Sequence, residues 1–180
     1  MDNNPKRSIA AAEDALGHFP VLYQNALQKR FTAKIGIESG DTSDWSMVEN
    51  LLAAMADGEA DFTQVFRHLP ESLESGNAHV VAGLFNQPET LVAWLSTWRA
   101  RLHQLDRNEA LALMRRTNPV FIPRNHRIEE AIQAGNSGDF TLFRQLHQIL
   151  QNPFTEQVEF TEYEAPPTPA EVVRETFCGT

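Results

Sequence analysis

The sequence predicts an all-α protein, an irregular bundle of about six to eight helices followed by an extended C-terminal tail. Three observations carry this. Apolar residues recur at three- and four-residue spacing through most of the chain. Aspartates stand just ahead of several of these stretches, where an N-cap belongs, and prolines and glycines punctuate their ends. Residues 1–154 read as one helical domain and residues 155–180 as an acidic, proline-rich tail ending in Cys178-Gly179-Thr180.

Over 9–36, Leu16, Phe19, Tyr23, Leu27 and Phe31 form a stripe close to helical spacing, with Gly17 and Pro20 expected to break or restart the first turns. Asp44 is expected to cap a helix over 45–56 that buries Trp45, Val48, Leu51, Leu52 and Met55 and closes at Gly58. Asp61 caps the next, whose buried side is Phe62, Val65, Phe66 and Leu69 and which Pro70 should end. The polar stretch 71–78 then reads as an exposed loop. Pro88 suits the first turn of a helix through Leu105 with Leu91, Trp94, Leu95, Trp98 and Leu102 inward. Asp106 and Glu109 have the spacing of a capping box for a helix over 108–116. Beyond 118–124, Ile128, Ala131 and Ile132 face inward on a helix ending near Gly135 to Gly138. Asp139 caps the last, over 140–150, with Leu142, Phe143, Leu146, Ile149 and Leu150 inward. The tail alternates glutamates with Val158, Phe160 and Tyr163, which favours extended chain over a packed helix.

The chain is organised around 118–130. Pro119 and Pro123 fix the backbone and push Asn118 and Ile122 toward extended geometry, so one helix must stop here and another can begin. Val120, Phe121 and Ile122 are too few for a helix and are best buried as a strap between helical layers. Arg124, Asn125, His126 and Arg127 crowd donors at the next helix start. The order Asn118-Pro119, Arg124-Asn125, Glu129-Glu130-Ala131-Ile132, then Gly138-Asp139-Phe140 and Asn152-Pro153-Phe154, resembles the C-terminal part of the selenoprotein O (SelO) family. Asp61-Phe62-Thr63-Gln64-Val65-Phe66-Arg67, Ala165-Pro166-Pro167 and a cysteine third from the end extend the resemblance over about residues 44–180.

That resemblance implies a kinase-like fold in the whole protein and transfer of AMP from ATP to protein Ser, Thr or Tyr hydroxyls, with Mg or Mn. It also implies that Cys178 is a redox-regulatory residue pairing with a cysteine of the kinase-like part. The family's ATP-binding lysine and metal-binding Asp and Asn lie upstream of anything in this chain, so no catalytic, cofactor-binding or metal residue is carried over. The chain alone is expected to be inactive, with the kinase-like N-terminal part of its parent as partner. The alternative is a free-standing helical interaction module.

The residues agree with a non-catalytic reading. Fifteen Lys plus Arg stand against 24 Asp plus Glu, a formal charge of -9, which disfavours nucleic acid and anionic membranes as partners. No stretch approaches the roughly 20 apolar residues of a membrane span, and the first residues lack a signal-peptide core, so a cytoplasmic location is expected. Lys6, Lys29 and Lys34 follow no glycine-rich turn of the kind that cradles phosphates. His126 and Glu129 are three apart, as metal ligands sometimes are, yet two groups make no site and a helix-surface pair is the ordinary reading. Adjacent Glu129 and Glu130 diverge on a helix, which is wrong for shared acid–base work. Arg115, Arg116, Arg124 and Arg127 offer an anion contact, with intramolecular pairing, the acidic tail included, the better expectation. Cys178, read by itself, is an accessible thiol on a tail.

Overall fold

The computed structural model describes residues 5–38 and 40–175. Among them are eight α-helices, one 3-10 helix and no strand. The helices are α1 (Pro5–Lys34), α2 (Thr42–Asp57), α3 (Phe62–Ser75), α4 (His79–Ala82), α5 (Pro88–Leu102), α6 (Arg107–Thr117), α7 (Asn125–Asn136) and α8 (Thr141–Leu150), followed by the 3-10 helix Val158–Tyr163. The predicted all-α class holds.

Two hydrophobic cores form. The larger is built by the C-terminal end of α1 with α2 to α6, and α5 runs through it with Leu91, Trp94, Leu95, Trp98 and Leu102 all buried. Burying tryptophan requires a partner for its indole N–H. Trp98 Nε1 donates to the Ile35 carbonyl at 2.8 Å and Trp94 Nε1 to the Met47 carbonyl at 2.8 Å, so both rings also tie α5 to its neighbours. Gly36, at φ +85°, turns the chain out of α1 where a side chain would be strained. The smaller core joins Val120 and Phe121 of the strap to Ala131, Leu146, Ile149 and Tyr163.

Several elements differ from expectation for reasons that lie far away in sequence. Helix α1 runs unbroken through Gly17 and Pro20. Every residue over 7–26 is exposed there, so water replaces the donor that Pro20 removes from the carbonyl four residues back. Consequently Leu16, Phe19 and Tyr23 are 72%, 62% and 55% exposed, while Leu27 and Phe31 of the same stripe are half-buried. The N-cap of α2 is Asp41, not Asp44: Asp41 accepts the Ser43 and Asp44 N–H groups, and Asp44 returns a bond to the Asp41 N–H at 3.0 Å. Asp44 is instead fully buried, its carboxylate gripped by both Arg101 nitrogens at 2.8 and 3.0 Å.

Helix α3 passes through Pro70 to Ser75, so residues 71–75 are helix rather than loop. Pro70 has no N–H for the Phe66 carbonyl four residues back. The side chain of Asn118 supplies it, Nδ2 donating to the Phe66 carbonyl at 3.1 Å. Phe62 is 43% exposed rather than buried, though it still packs on Phe31 and Phe66. Ile128, Ile132 and Phe143 are exposed as well, against the expectation of inward faces. The N-cap of α8 is Phe140 rather than Asp139, which stands one residue earlier and accepts the Thr141 N–H at 2.9 Å. In the tail, which is expected to be extended, 158–163 coil into short 3-10 turns that meet at a kink at Phe160, and Phe160 and Tyr163 pack on the smaller core.

Candidate functional site

The strap junction brings together motifs that are distant in the chain. Where α6 ends, Asn118 is extended and buried. Its amide donates to the Lys34 carbonyl at 2.8 Å and to the Phe66 carbonyl, and its Oδ1 accepts from Lys34 Nζ at 3.2 Å. The Lys34 ammonium also lies about 5 Å over the rings of Phe62 and Phe66. Burial lowers its pKa below the usual lysine value. The N–H groups of Val120 and Phe121 both donate to the Pro153 carbonyl, at 2.8 and 3.1 Å, docking 152–154 on the strap.

Arg124 completes the junction. It precedes α7 and its two terminal nitrogens grip Asp61 at 2.9 and 3.0 Å, while Asp61 caps α3 through the Gln64 N–H. Burial pushes the Asp61 carboxyl up, but the bonds from Arg124 and the Gln64 N–H outweigh it and hold its pKa below the ordinary value. The other arginines are likewise engaged within the chain. Arg115 pairs with Glu74, Arg116 lies 3.9 Å from Glu38, and Arg127 binds Glu130 and the Glu162 carbonyl while covering the Tyr163 ring. Intramolecular pairing is therefore what the cluster does, but not chiefly with tail carboxylates. Among the described tail residues Glu156 pairs with Arg67 at 2.9 Å, a contact between positions 89 residues apart that no local pattern signals.

His126 and Glu129 do not form a metal pair. His126 is buried at the first turn of α7 and Glu129 accepts from Gln133, while Glu130 turns to Arg127. Among the described residues no group of three or more His, Cys, Asp or Glu could hold a metal ion. The burial of His126, with Arg127 and Arg124 close by, lowers its pKa, only partly offset by Glu171 and Glu130. A base with a depressed folded pKa stabilises the fold above its unfolded value of about 6.5 and loses that contribution as pH falls through the folded value. Denaturation midpoints should therefore decline from about pH 7 to 5, before the carboxylates titrate, and His126→Asn should flatten the decline. An unchanged slope in that variant would assign it to another group.

The junction unites Asp61, Asn118, Arg124 and Pro153, which come from four of the segments that carry the family resemblance. A family model described as protein adenylyltransferase SelO matches residues 7–151. The chain belongs to the SelO family. It is 41% identical over 177 residues to the protein nucleotidyltransferase YdiU of Rhizobium meliloti, covering 96% of this chain and 36% of that protein. It is 40% identical to the protein of the same description from Rhodopseudomonas palustris and 41% identical to that from Nitrobacter hamburgensis, covering all of this chain and 37% and 36% of theirs. The chain thus spans little more than a third of the length of these curated relatives and matches a C-terminal part of them.

Two apolar surfaces of this SelO region were not legible as surfaces in the sequence. One is the projecting half of α1. The other is a groove of about 690 Å³ between α7 and α8, lined by Ile128, Ile132, Phe140, Phe143 and Leu150. A periodic stripe tells which side of a helix is apolar, not whether this chain covers it. No helix of the described residues is long and apolar enough to cross a membrane. Cys178 lies outside the described residues.

Proposed function

We propose that this chain is the helical C-terminal region of a SelO protein adenylyltransferase whose ATP and metal sites lie in the part of the protein it does not span. The observation that carries this is the commitment of the strap cations. Arg124 is fully engaged by Asp61 and Lys34 by Asn118 and two aromatic rings, in the place where a cationic cluster at a helix start would otherwise suit a phosphate. The role of the region is to pack on a kinase-like part that transfers AMP to hydroxyls of protein substrates in the cytoplasm, with Mg or Mn as the ion. Cys178 is the redox-sensitive residue of that assembly, pairing with a thiol of the kinase-like part.

AMP transfer to acceptor proteins tests this reading, comparing the purified chain with the full-length Rhizobium meliloti relative under the same Mg and Mn conditions. The chain should label nothing while the relative labels its acceptors. Labelling by the chain at a rate comparable to the relative's would place the active site within these 180 residues and end the proposal.

A further inference from the structure

The exposed face of α1 is too apolar and too continuous for a surface that stays in water. At 3.6 residues per turn, Ala12, Leu16, Phe19 and Tyr23 fall on the same side of α1 as Leu27 and Phe31, with Ala15 and Leu22 along one edge of that face. Those last two are the point where this face enters the chain's own core, Phe31 meeting Trp45, Phe62 and Phe66. Toward the N-terminus the same face leaves the body, and Phe19 and Tyr23 stack on each other at 5.9 Å with solvent around them. Arg7, Asp14, His18 and Asn25 occupy the opposite side. This apolar face is covered by the chain only over the last two turns of α1. Contiguous apolar patches of this kind mark interaction sites.

The relatives identify the occupant. Nearly two thirds of their length lies outside the matched region, and because that region is C-terminal in them, the remainder precedes it, on the side of α1. Ala12 and Ala15 leave a low stretch of this face beside the large side chains of Leu16, Phe19 and Tyr23, a relief into which the ridges of a second helix can pack. We infer that the face of α1 bearing Leu16, Phe19 and Tyr23 is buried against an apolar helical surface of the preceding, kinase-like part, making α1 the spine shared by the two parts. This rests on the functional reading above and adds the surface by which it is realised.

The test is amide hydrogen exchange of α1 in this chain alone and in a full-length chimera, in which the chain replaces the matched C-terminal third of the Rhizobium meliloti relative. Amides near 16–23 should exchange at least about 100-fold more slowly in the chimera, the protection expected from burying two large side chains. Leu16→Asp with Tyr23→Asp should restore fast exchange there. The same double variant in the chain alone should leave its circular dichroism and thermal transition unchanged, since both residues are exposed. Fast exchange at 16–23 in a chimera that still transfers AMP would overturn the inference and leave the functional reading standing. Fast exchange in a chimera without activity would overturn both. Protection that grows with concentration in the chain alone would make a second copy the occupant and overturn the inference.

Discussion

Phe121→Ala should destabilise the chain by about 3 kcal/mol, the cost of a large buried ring replaced by a cavity. Phe121 is 1% exposed and anchors the smaller core, where it adjoins residues of α7, α8 and the 3-10 turn. Its own N–H is held by the Pro153 carbonyl, so the backbone cannot easily collapse into the space left behind. Urea unfolding of the variant would show the loss as a lower midpoint at unchanged slope. A change near zero would mean that the strap is not the element joining the two cores.

Asn118→Ala should have an effect of similar size, about 3 kcal/mol, because it strands two buried carbonyls and removes a partner from Lys34. Part of that cost has a specific origin in Pro70. Replacing Pro70 by Ala restores an N–H to the Phe66 carbonyl within α3, after which the carbonyl no longer depends on Asn118. A double-mutant cycle should therefore show Asn118→Ala costing about 1 kcal/mol less in the Pro70→Ala background than in the wild type. Strict additivity would show that the 3.1 Å contact contributes nothing, whatever the geometry suggests.

The same pair explains what could and could not be read from the sequence. Caps are local, so Asp61 and Asp106 were legible from their spacing, and the stripe of α5 from its period. Pro70 is expected to end α3 and does not; what the sequence could not show is an amide 48 residues later that takes up the carbonyl Pro70 leaves unpaired. Asp41 and Asp44 illustrate the same limit. Each is a good N-cap by type, and the choice between them is made by Arg101, which takes Asp44 into the core. The strap and the burial of Val120 and Phe121 are legible because two prolines around three apolar residues leave few alternatives, although Ile122, expected inside with them, is half-buried. The pairing of Arg124 was not, since any of 24 acidic residues might have answered it. Amphipathic stripes were found on α1, α7 and α8, but an apolar side chain has the same period whether its partner is inside this chain or outside it. That is why Ile132 and Phe143, expected to face inward, are exposed, and why the stripe of Leu16 and Phe19 could not reveal its own exposure.

Equilibrium ATP binding decides whether nucleotide recognition lies outside this chain. Purified chain would be titrated with ATP in the presence of Mg and then Mn, by calorimetry, with the full-length Rhizobium meliloti relative as the binding control. The expected outcome is no saturable heat for the chain and saturation for the relative. Saturable, stoichiometric binding by the chain at micromolar ATP would contradict it and would make the strap junction, with Lys34 and Arg124 released from their present partners, the first place to look for the site.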